Sequence, residues 1–134
     1  MDSRSALWQP RRRCDTCAGT AAIEFALVVP AFFMIVFGIE EFSRCVWTQS
    51  ALQFAVEAAA RCAAVDAATC GTPSQVQQYA VSKMPAPGAT AAAFTYNNAA
   101  TCGSLVSGSM AFTFVVSLVH DGSVTLTAQS CYPA

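Results

Sequence analysis

Residues 20–39 decide the fold, because they read TAAIEFALVVPAFFMIVFGI and contain a single charged side chain, Glu24. Twenty helical residues rise by roughly 30 Å, the thickness of the hydrocarbon core of a bilayer. The eleven Leu, Ile, Val and Phe residues in this stretch favour insertion by roughly 3 to 7 kcal/mol. An ionised group at the membrane centre costs about 3 kcal/mol, and Glu24 lies near one end, where the cost is lower. The sequence therefore predicts a transmembrane helix.

The charges on either side of this helix predict its orientation. Arg11, Arg12 and Arg13 precede it, whereas Glu40 and Glu41 follow it directly. The positive-inside bias keeps the N-terminus in the cytoplasm and sends the rest of the chain across the membrane. Beyond Gly19 there are three basic and six acidic residues, a net charge of 3 − 6 = −3, so the chain lacks the basic surface that nucleic-acid binding requires.

A basic start followed by an apolar run also describes a secretory signal peptide. A signal peptide would have an Ala-x-Ala-like cleavage site after the apolar run, but the bulky and charged residues GIEEFSR stand there, at positions 38–44. The small residues lie before the apolar run instead, at Ala18, Gly19 and Thr20. A plain single-pass anchor explains every feature except Gly19 and Glu24.

The stretch GTAAIEF at residues 19–25 resembles the prepilin processing site of tight-adherence pili, a branch of the type IV pilus systems. AIEFALVVP at residues 22–30, FGIEEFSR at residues 37–44 and the ending TLTAQSCYP at residues 125–133 are similar to the TadE-like minor pilins, or pseudopilins, of that system. The resemblance implies that a prepilin peptidase cuts after Gly19. Thr20 then becomes the new N-terminus, and Glu24 and Phe25 are the fifth and sixth residues of the product.

Glu24 has two interpretations. The resemblance implies a role in subunit register, in which the Thr20 amine of one subunit meets the Glu24 carboxylate of its neighbour, because pairing relieves the cost of a buried charge. Phe25 is assigned to the same contact. Alternatively, Glu24 extends towards the lipid headgroups and interacts favourably with the positive end of the helix dipole.

The remaining residues predict an α+β, pilin-like fold, with a long N-terminal helix packed on a small antiparallel sheet and a short second helix. We expect a basic leader at 1–19, a transmembrane half-helix at 20–39, an amphipathic half-helix at 40–70 and a small domain at 71–134. The amphipathic stripe includes Phe42, Val46, Leu52, Val56 and Ala59. Thr72, Pro73 and Gln75 predict the start of the second helix through a capping box.

Two alternating runs predict the strands of a hairpin. One run extends from Met110 to Leu118 and the other from Val124 to Ala128, with Asp121, Gly122 and Ser123 as the turn. A three-residue loop would place Leu118 opposite Leu126 and Val116 opposite Ala128. The segment from Phe94 to Tyr96 is a further strand candidate.

The cysteines divide into three groups. Cys14 and Cys17 form a Cys-x-x-Cys pair in the leader, too few ligands for a structural zinc site. Cys45 is the expected odd thiol. Cys62, Cys70, Cys102 and Cys131 are disulfide candidates in an oxidising periplasm. Three pairings are open. Simple hairpins between residues 94 and 131 would place Cys102 and Cys131 at different heights, so we favour bonds that join the helix-end cysteines to the strand cysteines.

These features predict a minor pilin or pseudopilin that takes part in pilus assembly and surface attachment. The expected partners are a prepilin peptidase, other pilins, assembly-platform proteins and the membrane. We expect residence in a bacterial inner membrane, with the C-terminal domain in the periplasm, and incorporation into the extracellular pilus is compatible with this. No catalytic residue, metal or cofactor is expected, since the lone His120 borders a turn. The alternatives are a single-pass protein with a periplasmic binding domain, a type II secretion pseudopilin, and a hydrolase or redox enzyme.

Overall fold

The computed structural model describes residues 15–115 and 122–133, with side chains from Gly19 onwards. Within them the helices are α1 (Asp15–Val65), α2 (Ala67–Cys70) and α3 (Pro73–Lys83), and a 3-10 turn spans Ala91–Ala93. The strands are β1 (Phe94–Ala100), β2 (Gly103–Thr113) and β3 (Ser123–Tyr132), which form one antiparallel sheet in the order β1-β2-β3. The predicted α+β class, a long apolar helix with a small antiparallel sheet and short helices, is confirmed. Residues 1–14, with Cys14, and residues 116–121, with Val116, Leu118, His120 and Asp121, lie outside the described residues.

The chain divides into two compact units, one ending at Val36 and the other beginning at Phe37. In the first unit α1 starts at Asp15, five residues before the predicted start at Thr20. Gly19 lowers helix stability by only about 1 kcal/mol relative to alanine, which is too little to end a helix. Pro30 likewise lies inside the helix. From Gly19 onwards α1 is long and apolar enough to cross a membrane, with a mean hydropathy of 2.4 in its best window and none of that window buried.

In the second unit the core forms between α1 and the inner face of the sheet. Leu52, Ala55, Val56 and Ala59 of α1 have no exposed surface. The sheet approaches α1 closely at Gly108, where an added Cβ would lie only 2.9 Å from the Leu52 Cδ1 atom. A side chain at residue 108 would therefore push the sheet away from the helix.

The buried stripe of α1 differs from the predicted one in its first half. Phe42 and Val46 are exposed, at 69% and 47%, whereas Glu41 and Thr48 are buried. The stripe therefore starts with polar residues, and a search for apolar periodicity follows the wrong face until Leu52.

The end of α1 also differs from the prediction of one helix to residue 70. α1 ends at Val65, and Asp66 caps α2 by accepting hydrogen bonds from the N–H groups of Ala68 and Thr69. Hydrogen bonds from the side chain and the backbone N–H of Thr69 hold the pKa of Asp66 below its usual value. A polar cap thus replaces one turn of the predicted helix.

The predicted start of the short helix is confirmed. Thr72 is the N-cap of α3, Pro73 is its first residue, and the Gln75 side chain completes the capping box. Val76 and Ala80 are fully buried in the core. α3 thus adds an apolar face beside the inner surface of β1.

The predicted hairpin register is wrong. Leu126 pairs with Met110 instead of Leu118, and Ala128 pairs with Gly108 instead of Val116. β2 begins at Gly103, seven residues before the predicted Met110, and ends at Thr113, so the connection to Ser123 is longer than three residues. The weakly apolar half of β2, residues 103–109, contains three serines and two glycines, and hydropathy does not reveal it as a strand.

The four candidate cysteines form two disulfides, Cys62–Cys70 and Cys102–Cys131. The favoured pairing of helix-end with strand cysteines is therefore wrong. Cys102 precedes β2 directly, and Cys131 pairs in the ladder with Leu105, so both cysteines lie at the same end of the hairpin. The register error explains the pairing error, because the predicted register placed these two cysteines at different heights.

Candidate functional site

The predicted processing segment lies on an exposed part of α1. Gly19 is exposed, and nothing lies within 4 Å of the position that a Cβ would occupy there. Thr20 and Glu24 are four residues apart and so lie on one face of the helix. Glu24 is exposed, and the Phe25 side chain is exposed to 71%. The segment therefore has the access that a protease or a neighbouring subunit requires.

Glu24 forms no ion pair within residues 19–115 and 122–133, where the salt bridge is that of Glu41 with Arg44. The large apolar side chains around Glu24 are exposed as well, among them Ile23 at 65% and Leu27 at 75%. Sequence reasoning placed Glu24 in an apolar surface without a charge partner in its own chain. Among the described side chains Glu24 does lie in an apolar surface without a charged partner. Its role in subunit register remains a prediction.

A second charged group on α1 was missed as a structural element. Glu41 is only 3% exposed, and both of its carboxylate oxygens accept hydrogen bonds from Arg44 Nη1, at 3.1 and 3.0 Å. Its Oε1 also accepts a hydrogen bond from the backbone N–H of Val115, at 3.1 Å. Arg44 lies 5.5 Å from the centre of the Phe112 ring. Glu41 therefore connects the start of the amphipathic half-helix to the backbone two residues beyond the end of β2.

The sequence held only an ambiguous signal for this role. Glu41 and Glu40 stand three and four residues before Arg44, and both spacings bring side chains together on a helix. The spacing alone therefore does not say which of the two acids pairs with Arg44. Glu40 is exposed, as a charge at that position is expected to be.

The family model described as TadE-like protein matches residues 19–61. We call residues 19–61, which are similar to this family, the TadE-like segment. The resemblance predicted from the sequence is thus confirmed over this segment, and the match is consistent with a TadE-like pilus protein. No curated protein and no solved structure matches the chain significantly.

The TadE-like segment begins at the glycine of the predicted cleavage site and ends at Arg61, four residues before the end of α1. It contains Glu24 and Phe25 as well as the Glu41–Arg44 pair and the buried stripe around Leu52. One stretch of sequence thus carries both the exposed apolar helix and the half-helix on which the small domain folds. α3 and the sheet lie outside the match.

The small domain beyond the TadE-like segment shows two features of its surface. β3 forms one edge of the sheet, and the Gln49 side-chain amide donates a hydrogen bond to the Thr127 carbonyl at 2.9 Å. Beside the end of β3 is a depression of about 730 Å³ lined by Phe54, Glu57, Arg61, Tyr79, Lys83 and Tyr132.

In the described part of the chain no group of three or more His, Cys, Asp or Glu side chains could hold a metal ion. The Cys45 thiol is half-buried and is not bonded to another cysteine.

Proposed function

We propose that this protein is a minor pilin or pseudopilin that takes part in assembling a tight-adherence type IV pilus. The observation that carries the proposal is the TadE-like match, which starts at Gly19 and includes an apolar helix whose side chains are exposed. In water such a surface would cost several kcal/mol, because each large apolar side chain contributes about 1.5 to 3 kcal/mol when it is buried. A membrane before assembly and other helices after assembly would both cover it.

The proposed mechanism has a processing step followed by packing. A prepilin peptidase hydrolyses the peptide bond after Gly19, and the apolar helix stays attached to the small domain. The new Thr20 ammonium of one subunit then lies beside the Glu24 carboxylate of another, with Phe25 in the same contact. The chain converts no substrate, since its role is to pack against other pilins and the assembly platform.

The first experiment is the intact mass of the protein isolated from cells that build the pilus. A product that begins at Thr20 is expected. Gly19→Leu should retain the leader, whereas Gly38→Leu should be cut normally, because an added Cβ has nothing within 4 Å at either glycine. An intact Met1 start, or a cut beyond Ile39, would overturn the pilin proposal in favour of a plain anchor or a signal peptide.

The second experiment separates the two interpretations of Glu24. Glu24→Ala should be processed normally but should reduce surface filaments about tenfold, because the Thr20 amine loses its partner. Glu40→Ala is the matched control, an exposed acid of the same helix. Equal filament numbers in the Glu24→Ala strain and the parent would show that Glu24 acts only at the headgroups.

A further inference from the structure

We infer that two copies of this chain pack against each other along the outer face of α1, as a parallel pair of helices related by a twofold axis. The contact surface, which we call the seam, consists of Ser43, Trp47, Ser50, Phe54, Glu57 and Arg61. All of these residues lie in the second unit and within the TadE-like segment. The inference goes beyond the proposed function, since it concerns neither the cleavage site nor the contact between Thr20 and Glu24.

The seam has the residue spacing of a two-stranded coiled coil. Its residues follow one another at alternating gaps of four and three, the heptad repeat that keeps one face of a helix against a partner. All of them are exposed. Each residue of a helix is rotated by about 100° from the one before it, so Leu52, which is fully buried against Gly108 of the sheet, lies about 200° around the helix from Ser50. The seam is therefore on the side of α1 that the sheet does not cover.

The first half of the seam presents large apolar side chains to solvent. Trp47 is 53% exposed and Phe54 is 57% exposed, and Val46 beside them is 47% exposed. Exposed apolar clusters bordered by polar residues mark interaction sites. The small Ser50 stands between the two aromatic residues, and large and small side chains in alternation allow facing helices to interdigitate. A helix with the same alternation would cover both aromatic side chains.

The second half of the seam selects a second copy of this chain as the partner. Glu57 and Arg61 carry opposite charges one helical turn apart, yet neither forms an ion pair among the described side chains, and Glu57 accepts a hydrogen bond from Gln53 at 3.0 Å. In a parallel, in-register pair each seam side chain enters a hole formed by four residues of the facing helix, which include those at its own level and at the next. Glu57 of each copy then meets Arg61 of the other, so the seam is complementary to itself.

The same two charges decide the direction of the pair. An antiparallel pair centred on Phe54 would place Arg61 beside Trp47 of the other copy and Glu57 beside Ser50. The Trp47 ring would attract Arg61, but both Glu57 carboxylates would enter the contact without a cation. Parallel pairing supplies a cation to each carboxylate, and charge complementarity of this kind fixes the register of an interface.

The first test is cysteine crosslinking of the full chain in the membranes of cells that produce it. Cys14, Cys17 and Cys45 are replaced with alanine, so that the introduced cysteine carries the free thiol. Ser50→Cys should give a disulfide-linked pair of this chain on mild oxidation, because the two copies of residue 50 face each other across the twofold axis. Ser109→Cys is the matched control, an exposed serine of β2, and should give at least tenfold less.

The second test reverses the charges in the Ser50→Cys chain. Arg61→Glu sets an acid beside Glu57 of the other copy, and the yield of the linked pair should fall about tenfold. Adding Glu57→Arg restores opposite charges in exchanged order, so the yield should return to within about twofold. Lys83→Glu is the control, because it makes the same change of net charge at an exposed lysine outside the seam. All variants should keep both disulfides and similar melting temperatures.

Three results would overturn the inference. They are equal yields for Ser50→Cys and Ser109→Cys, an adduct of Ser50→Cys with a different protein, and a yield lost in Arg61→Glu that Glu57→Arg does not restore. Failure of the proposed function is distinguishable by intact mass. A chain with an uncut leader that still forms the linked pair would refute the pilin proposal alone, and a chain cut after Gly19 that forms no pair would refute this inference alone.

Discussion

Glu41 is a buried carboxylate that contacts two parts of the chain at once. It pairs with Arg44 on the same helix and accepts a hydrogen bond from the Val115 N–H, two residues beyond the end of β2. The Arg44 side chain is 45% exposed, so water screens much of the ion pair. The hydrogen bond to Val115 joins residues that are 74 apart in the sequence, and a hydrogen bond to a charged group contributes about 1.5 to 3 kcal/mol.

The Glu41→Ala substitution should lower the free energy of unfolding of the small domain by about 1.5 to 3 kcal/mol, the usual contribution of a hydrogen bond to a charged group. Glu40→Ala is the matched control, since Glu40 is the adjacent acid and is exposed. Glu41→Gln should lie between them, because it retains an oxygen for the Val115 N–H but loses the charge. Thermal unfolding in detergent measures all three. Equal melting temperatures for Glu41→Ala and Glu40→Ala would contradict this role.

At the scale of the elements, a helix start that depends on adjacent residues was predicted correctly, whereas the pairing of strands distant in the sequence was not. The capping box at Thr72 depends on four adjacent residues, and it forms as predicted. The hairpin register depends on where β2 begins, and its first half is too polar for its alternation to be seen in hydropathy. Gly108 shows why hydropathy fails there. It lies against the core, but it has to be glycine because a Cβ at this position would collide with the Leu52 side chain.

The Cys102–Cys131 disulfide should contribute more to stability than its position near the sheet end suggests. The bond closes a loop with a sequence separation of 29 residues. In the chain-entropy model a loop of that length stabilises the fold by about 3.6 kcal/mol. Cys102 is exposed and Cys131 half-buried, so replacing them removes little packing.

The double variant Cys102→Ala, Cys131→Ala should therefore unfold with a free energy about 3.6 kcal/mol lower than that of the parent, as measured by denaturant titration. Cys45→Ala is the control, because Cys45 is not bonded to another cysteine. A loss below about 1 kcal/mol would mean that the hairpin register of the unfolded chain is already restricted without the bond.

At the scale of the whole molecule, the sequence identified the apolar helix and its TadE-like character because both depend on local composition. The exposure of α1 and the family match agree with that interpretation. The contacts of Glu41 and Gln49 depend on which residues the fold brings together, Glu41 with Val115 and Gln49 with Thr127. Those pairs are separated by 74 and 78 residues, and no local pattern contains them.

The orientation of the chain in the membrane gives the last prediction. Arg11, Arg12 and Arg13 precede the apolar helix, and Glu40 and Glu41 follow it, so positive charge should hold the N-terminus in the cytoplasm. Alkaline phosphatase fused after Pro133 should be active, because this reporter folds only outside the cytoplasm, where disulfides form. Replacing the three arginines with glutamate should reduce that activity about tenfold.

Replacing Glu40 with glutamine is the control, because acidic residues contribute little to orientation, and it should leave the reporter active. A fluorescent protein that matures only in the cytoplasm, fused at the same place, should remain dark. If this fusion fluoresced while the phosphatase was silent, the small domain would lie in the cytoplasm. The two disulfides would then lack an oxidising compartment, and the proposed role in an external pilus would fail.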